Sequence, residues 1–181
     1  GIGNNSVITR TWTATDDSNN VSTEDQVITV EDTTAPTITA PAAVTVNVNA
    51  GTCEATGVAL GNAIVSDNCD DDLVATNNAP LSFPLGDTTV TWTVTDDNSN
   101  TVTATQIVTV EDDIAPDFSF VPLDLTVECD VDTNDTASTG GSATATDNCD
   151  NNVEITYTDS TVNGIGNNSV ITRTWTATDD S

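Results

Sequence analysis

The chain has 181 residues, and 29 acidic side chains against two arginines give it a formal net charge of −27, with no histidine. This charge excludes nucleic acid and disfavours an anionic membrane surface as partners, because both are bound through the lysines and arginines that are missing here. Self-repulsion at such a charge opposes folding. Disorder is nevertheless not predicted, because 36% of the residues are apolar and they recur in regular β patterns.

Internal repeats define how the chain is organised. Residues 1–18 recur unchanged as residues 164–181, and inside this period VEDTTAP (30–36) returns as VEDDIAP (110–116). The sequence therefore predicts tandem modules of about 80 residues in two alternating types, A and B.

Three segments follow from this repeat. Residues 1–30 are predicted to be the last two strands of a type B module, residues 31–110 a complete type A module, and residues 111–181 a truncated type B module. Both ends fall inside a module, so we expect the natural protein to continue in both directions. No apolar run approaches the ~20 residues that a membrane span needs, which predicts no direct membrane insertion.

Alternating β-branched and polar residues predict β-strands along the whole chain. The expected fold class is all-β, with immunoglobulin-like β-sandwich modules joined end to end. Trp92 is predicted to fill the core of type A, as Trp12 and Trp175 are in type B. In type A the predicted strands are A at 37–48 with a break at Pro41, B at 57–65, C at 73–77, E at 81–85, F at 88–95 and G at 101–110.

Arg10 and Arg173 occupy the same position of the repeat, where type A has Val90. Both are expected on the tryptophan face of strand F, either paired with a carboxylate or stacked on the ring. The alternative is an edge residue whose charged end reaches into solvent.

The four cysteines fall into two local pairs, Cys53 with Cys69 and Cys129 with Cys149. Zinc is disfavoured because the chain has neither a CxxC motif nor a histidine. The sequence predicts two local disulfides formed in an oxidising compartment. Closing a loop of about 15 residues stabilises by roughly 3 kcal/mol in the chain-entropy account.

Acidic residues are concentrated in three segments of each module: the incoming linker, the B–C loop and the F–G loop. In a sandwich with this strand order, all three are expected to meet at the junction between consecutive modules. Crowded carboxylates repel each other, and calcium, which takes oxygen ligands, would remove that cost and stiffen the joint. The alternative is a solvated acidic end that keeps the protein soluble. The candidate ligands are Glu31, Asp32, Asp67, Asn68, Asp70, Asp96 and Asp97 in type A, and Glu111, Asp112, Asp113, Asp147, Asn148, Asp150, Asp179 and Asp180 in type B.

Type A resembles the hyalin repeat in four motifs: DTTAPTITAPAAVTV (32–46), AGTC (50–53), SDNCD (66–70) and FPLGDTTVTWTVTDDNSNT (83–101). The resemblance implies an immunoglobulin-like module of extracellular and cell-surface proteins, a Cys53–Cys69 pair and a role in adhesion. Type B departs from it, since it lacks the FPxG turn and its cysteines are further apart.

Long arrays of this kind resemble the giant surface adhesins of gliding flavobacteria. That resemblance implies a secreted protein and O-glycosylation at Asp-Ser/Thr followed by a small or apolar residue. The candidate glycosylation sites are Thr33, Thr88, Thr136 and Ser160.

The predicted function is a calcium-stiffened stalk segment of a cell-surface adhesin, with adjacent modules, surface glycans or other cells as partners. An inert spacer for a distant domain is the alternative. Catalysis by paired carboxylates is disfavoured because the pairs belong to repeated loops. Ice binding through threonine rows is disfavoured because exposed threonine is an ordinary strand residue.

Overall fold

The computed structural model describes residues 5–166 and 168–180, and in this part of the chain the fold is all-β, as the sequence predicts. Within those residues the only helix is a short 3₁₀ helix, Thr136–Thr139. The strands are β1 (Ser6–Thr15), β2 (Val21–Val30), β3 (Thr37–Thr39), β4 (Val44–Asn47), β5 (Glu54–Thr56), β6 (Ile64–Ser66), β7 (Thr76–Asn77), β8 (Ser82–Pro84), β9 (Gly86–Thr95), β10 (Thr101–Glu111), β11 (Asp117–Phe120), β12 (Thr144–Thr146), β13 (Glu154–Asn163) and β14 (Ser169–Thr178).

By their internal contacts the residues divide into two compact units. Unit 1 consists of Gly1–Val44, Gly57–Leu81 and Asp87–Thr109, and unit 2 of Thr45–Thr56, Ser82–Gly86 and Val110–Ser181.

The longest strands of the predicted type A module, β9 and β10, lie in a four-stranded sheet of order β4-β10-β9-β7. In the second half of β9 every second residue is buried: Val90, Trp92 and Val94 are at most 5% exposed. The two-residue alternation that predicts this strand therefore gives the correct inward face, and the prediction of Trp92 as a core residue is confirmed.

A buried glutamine completes this core. Trp92 Nε1 donates to Gln106 Oε1 at 3.0 Å, and Gln106 Nε2 donates to the carbonyl oxygens of Ala42 (2.8 Å) and Leu60 (2.9 Å). Gln106 is 2% exposed, and these bonds offset the cost of burying its amide. They also connect β10 to two segments outside the strands. The sequence analysis did not predict this role, because a single glutamine in a strand of threonine and valine residues does not indicate burial.

The short strands differ from the predicted ones. Of the predicted strand B at 57–65, only residues 64 and 65 lie in a strand, β6, which pairs with β3. Strand β5, which pairs with β8, was not predicted. Gly57 and Gly61 have φ angles of 67° and 83°, a left-handed conformation that interrupts a strand.

At the start of the chain, β1 and β2 form a ten-pair antiparallel hairpin in which Trp12 lies opposite Glu24. Trp12 Nε1 donates to Gln26 Oε1 at 3.2 Å, as Trp92 does to Gln106. Trp12 is nevertheless 58% exposed. The prediction that it fills a core is wrong in this structure, because among the described residues no second sheet covers its face of the hairpin.

Near the other end, β13 and β14 form a second ten-pair hairpin in which Tyr157 lies opposite Trp175. Trp175 is half-buried, and the two ring centres are 5.2 Å apart. Arg173 lies opposite Asp159 and makes a bidentate ion pair with it, Nε to Oδ1 and Nη2 to Oδ2, both at 2.8 Å.

The expectation for Arg173 is confirmed, since this side chain also stacks on an aromatic ring, 3.9 Å from the centre of Tyr157. It donates further hydrogen bonds to Thr133 O and Thr139 Oγ1. The hydrogen bond from Arg173 is the main cause that lowers the pKa of Asp159.

Replacing Arg173 by methionine is expected to destabilise unit 2 by about 1–3 kcal/mol, because a bidentate pair, a stack and two further hydrogen bonds are lost together. Denaturant unfolding at low and high salt measures this. The matched control is Arg10→Met, because Arg10 lies in the same 18-residue sequence and stacks on Trp12 at 5.7 Å, and little change is expected there. Equal effects of the two substitutions would contradict the prediction.

Candidate metal centre at the acidic loops

The loop between β9 and β10 contacts both other acidic segments of the predicted type A module. Asp97 N donates to Asp70 Oδ2 of the B–C loop at 3.2 Å, and Asn98 Nδ2 donates to Asp32 O of the linker at 3.3 Å. Asn5, just before β1, exchanges side-chain hydrogen bonds with Asn98. The three segments therefore converge as the sequence predicts.

Asp96 holds the shape of this loop. Burial raises its pKa, but hydrogen bonds from Asn100, Asn98 and Ser99 lower it more, so the net pKa lies below the ordinary value. Both carboxylate oxygens accept hydrogen bonds: Oδ1 accepts from Asn98 N and from Asn100 N, while Oδ2 accepts from Asn100 Nδ2. Asp96 is thus a turn-forming residue, and Asp16 does the same between β1 and β2.

Asp32, in the linker, has a different environment. It is 9% exposed, its N–H donates to Asn5 Oδ1 at 2.8 Å, and its Oδ1 accepts from Thr34 N at 3.0 Å. Its Oδ2 is buried and has no hydrogen-bond partner. A buried carboxylate oxygen without a donor is costly, which makes Asp32 available to a cation.

Asp67, in the B–C loop, repeats this arrangement. Its Oδ1 accepts from Cys69 N at 2.8 Å, and its Oδ2 is buried without a partner. A carboxylate oxygen of Asp32, one of Asp67 and Cys69 Sγ all lie within 4.8 Å of one another. Burial, and then the charges of Asp32 and Asp67, raise the pKa of the Cys69 thiol. Cys69 therefore stays protonated at neutral pH, and the donors of this cluster are the two carboxylates.

The same positions recur in the predicted type B module. Asp112 Oδ1 accepts from Ile114 N at 3.1 Å, and Asp147 Oδ1 accepts from Asp150 N and Cys149 N. Those backbone bonds lower the pKa of Asp147. The buried, unpartnered side-chain atoms of the described residues are the Oδ2 of Asp32, Asp67, Asp112, Asp147 and Asp150, together with Ser82 Oγ.

A comparison with known families identifies the stretch that contains the first cluster. Residues 31–110 match the HYR domain. The resemblance to the hyalin repeat is therefore confirmed for these residues, hereafter the HYR module, which are also the residues predicted as the complete type A module. HYR domains are typically extracellular, and the match indicates an adhesion-type repeat module.

No curated protein matches the chain. Within the described residues, no helix has the length and hydrophobicity that crossing a bilayer requires.

The remaining predicted ligands of the HYR module and the stretch after it lie at or near the surface. Asp113 accepts from Asn47 Nδ2, and Asn148 Nδ2 donates to Thr52 O at 2.9 Å. Exposed are Glu31, Asn68, Asp97, Glu111, Asp113 and Asp180; half-buried are Asp70, Asn148, Asp150 and Asp179. Of the candidate glycosylation sites, Thr33 and Ser160 are exposed and Thr88 and Thr136 half-buried.

The disulfide of the structure joins Cys53 to Cys149. Both predicted local pairs, Cys53–Cys69 and Cys129–Cys149, are therefore wrong. Cys53 follows β4, where Val48 N donates to Glu111 O at the end of β10, whereas the Cys69 loop contacts the turn before β10 begins. The Cα atoms of Cys53 and Cys149 are 4.8 Å apart, within the range that a disulfide requires.

Proposed function

We propose that this chain is a segment of an extracellular stalk in a cell-surface repeat adhesin, and that calcium ions at the acidic loops stiffen the junctions between modules. The observation that carries the proposal is the buried, unpartnered Oδ2 of a linker aspartate and a B–C loop aspartate in each of two modules: Asp32 with Asp67, and Asp112 with Asp147.

The donor chemistry favours calcium. Calcium takes 6–8 oxygen ligands, largely from carboxylates and backbone carbonyls, and the unpartnered atoms are carboxylate oxygens. Transition metals prefer imidazole and thiolate, and the chain has no histidine, while the Cys69 thiol has a raised pKa. Asp32 and Asp67, whose carboxylates lie close together, would hold the first ion. Asp112, Asp147 and Asp150 are candidate ligands for ions in the predicted type B module because each has a buried, unpartnered Oδ2.

A bound ion would stiffen the chain because its ligands come from different segments. Asp32 belongs to the linker and Asp67 to a loop of the HYR module. An ion held by both would restrict the linker, and its charge would offset part of the net charge of −27. We further propose that the array belongs to surface adhesins like those of gliding flavobacteria, that it binds surface glycans or other cells, and that it has no catalytic role.

Calcium is expected to raise the melting temperature, and EDTA to lower it. At about 100-fold excess over Kd, each occupied site adds about 2.7 kcal/mol to the free energy of unfolding. Asp32→Asn keeps the shape of the side chain but removes its charge, and it should weaken calcium binding by at least about 10-fold in isothermal titration calorimetry.

The matched control is Asp17→Asn, which removes one charge from an exposed position in the turn between β1 and β2. Equal losses of calcium affinity in the two variants would show general screening of charge and would reject a site at Asp32. Unchanged melting in EDTA, with no heat of binding in millimolar calcium, would reject calcium altogether.

A further inference from the structure

The repeated 18-residue sequence places one strand in two different surroundings. Strands β1 and β14 are identical in sequence, SVITRTWTAT. Among the described residues, β1 pairs only with β2, and β14 pairs only with β13. Each copy of this strand therefore has one edge paired and one edge that no strand covers, and such an edge is a template for further pairing.

One neighbour of this strand is equivalent in the two modules. In the HYR module β9 lies between β7 and β10. Trp92 of β9 lies opposite Asn77 of β7, and Trp175 of β14 lies opposite Tyr157 of β13. Asn77 and Tyr157 lie at the same distance along the chain from the Asp-Asn-Cys motif of their module. Strand β13 therefore takes the place of β7.

The neighbour on the other edge is equivalent as well. Trp12 of β1 donates to Gln26 of β2 at 3.2 Å, and Trp92 of β9 donates to Gln106 of β10 at 3.0 Å. Strand β2 therefore takes the place of β10. Because β9 has both neighbours at once, the repeated strand can have β13 on one edge and β2 on the other.

One face of β2 lacks the cover that the same face of β10 has. Gln26 and Val30 are exposed on it, and Ile28 between them is half-buried. The residues at the same positions of β10 are at most 2% exposed; they are Gln106, Val108 and Val110. In the HYR module β10 also pairs with β4, and β2 has no counterpart of that strand among the described residues.

The stretch after the HYR module contains a segment that fits this place. PLDLTV (122–127) corresponds to PAAVTV (41–46), which contains most of β4. Among the described residues no strand pairs with 122–127, and Leu125 and Val127 are 48% and 37% exposed. The valines of β4 are half-buried. The segment therefore lacks the strand that corresponds to β10, which is β2.

We propose that the β1–β2 hairpin and residues 122–127 are the two sides of an interface between two copies of this chain. The hairpin of one copy takes the place of β14 in the other copy and lays β2 beside residues 122–127. The resulting sheet has the order 122–127, β2, β1, β13, which reproduces the order β4-β10-β9-β7 of the HYR module.

The exchange keeps the contacts of the displaced strand because β1 and β14 have the same sequence. Arg10 pairs with Asp159 as Arg173 does now. The gain is the contact of β2 with residues 122–127, which covers Ile28 and Val127. Exchange of an identical element between copies is a low-cost route to association.

The two sides of the interface are different surfaces, so the contact is head-to-tail and leaves one side open at each end of an assembly. Copies of the chain are therefore joined one after another. The contact needs no metal ion, and its test is independent of the calcium proposal because it is run in EDTA.

The test uses the 181-residue chain after its thiols have been alkylated, so that no disulfide forms between copies. The chain is unfolded in urea and refolded at concentrations up to about 1 mM, because β14 must leave its place for the exchange. Salt at about 1 M shortens the Debye length to about 3 Å and screens the repulsion between acidic chains. Light scattering is expected to show masses that rise with concentration in steps of one chain.

Two variants distinguish the two sides. Ile28→Asp blocks the donating face, and Val127→Asp blocks the receiving segment. Each variant refolded alone should remain monomeric. Refolded together in equal amounts they should form a dimer, because the first variant keeps the receiving segment and the second keeps the hairpin. The matched control is Val27→Asp, which lies on the other face of β2 and is 63% exposed, and it should associate like the wild type.

A wild-type chain that remains monomeric at every concentration would overturn the proposal. A mixture of the two variants that remains monomeric would overturn it as well, since misfolding of either variant at its own substituted site leaves the complementary side of the other intact. Loss of association in Val27→Asp equal to that in Ile28→Asp would show that the charge, and not this face of β2, is responsible.

Discussion

Replacing Trp92 by alanine is expected to lower the free energy of unfolding by about 3–5 kcal/mol. The side chain is 5% exposed between Val90 and Val94, so its removal leaves a cavity in the HYR module. It also deprives the buried Gln106 Oε1 of its donor, and a buried acceptor without a partner adds to the cost. Denaturant unfolding followed by circular dichroism measures the loss.

The chain supplies a matched control for this substitution. Trp12 has the same strand position and the same indole-to-glutamine hydrogen bond, to Gln26, but is 58% exposed. Trp12→Ala should therefore cost less than about 1 kcal/mol. Similar losses in the two variants would mean that burial does not set the contribution of this tryptophan.

Removing the disulfide with Cys53→Ser is expected to cost roughly 4–5 kcal/mol in the chain-entropy account, because Cys53 and Cys149 are separated by 96 residues. A local loop of the size predicted from the sequence would contribute only roughly 3 kcal/mol. The measurement is denaturant unfolding with and without a reducing agent, and the difference between wild type and variant should vanish once the wild type is reduced.

Cys129→Ser is the control for this prediction, since Cys129 is exposed and outside the bond. It should leave the stability of the 181-residue chain almost unchanged. If it destabilised the chain as much as Cys53→Ser, the local pairing Cys129–Cys149 would be favoured instead.

The ionic and the covalent features of the junction share a loop. Asp147, whose Oδ2 is a proposed calcium ligand, lies two residues from Cys149, which carries the disulfide. Calcium would respond to the ion concentration outside the cell, whereas the disulfide would persist until it is reduced. Chelation and reduction are therefore expected to weaken the junction separately, and their effects on melting can be compared in one protein.

Much of the HYR module could be predicted from the sequence because the relevant signals are local. Strands were predicted at 88–95 and 101–110, and the structure has them at Gly86–Thr95 and Thr101–Glu111. Alternation with a period of two residues fixes which side chains face inward, so Trp92 was placed correctly. The convergence of the acidic segments followed from strand order alone.

Only the tertiary structure decided which side chains are partners. Asp96 and Asp32 both lie in acidic segments of the sequence, which therefore does not distinguish them. In the structure both carboxylate oxygens of Asp96 accept hydrogen bonds within its own turn, whereas Asp32 has a buried oxygen without a donor. Gln106 is a core residue because backbone carbonyls outside the strands happen to face it. Cys53 bonds to Cys149 across 96 residues, because a disulfide depends on distance in space and not on distance along the chain.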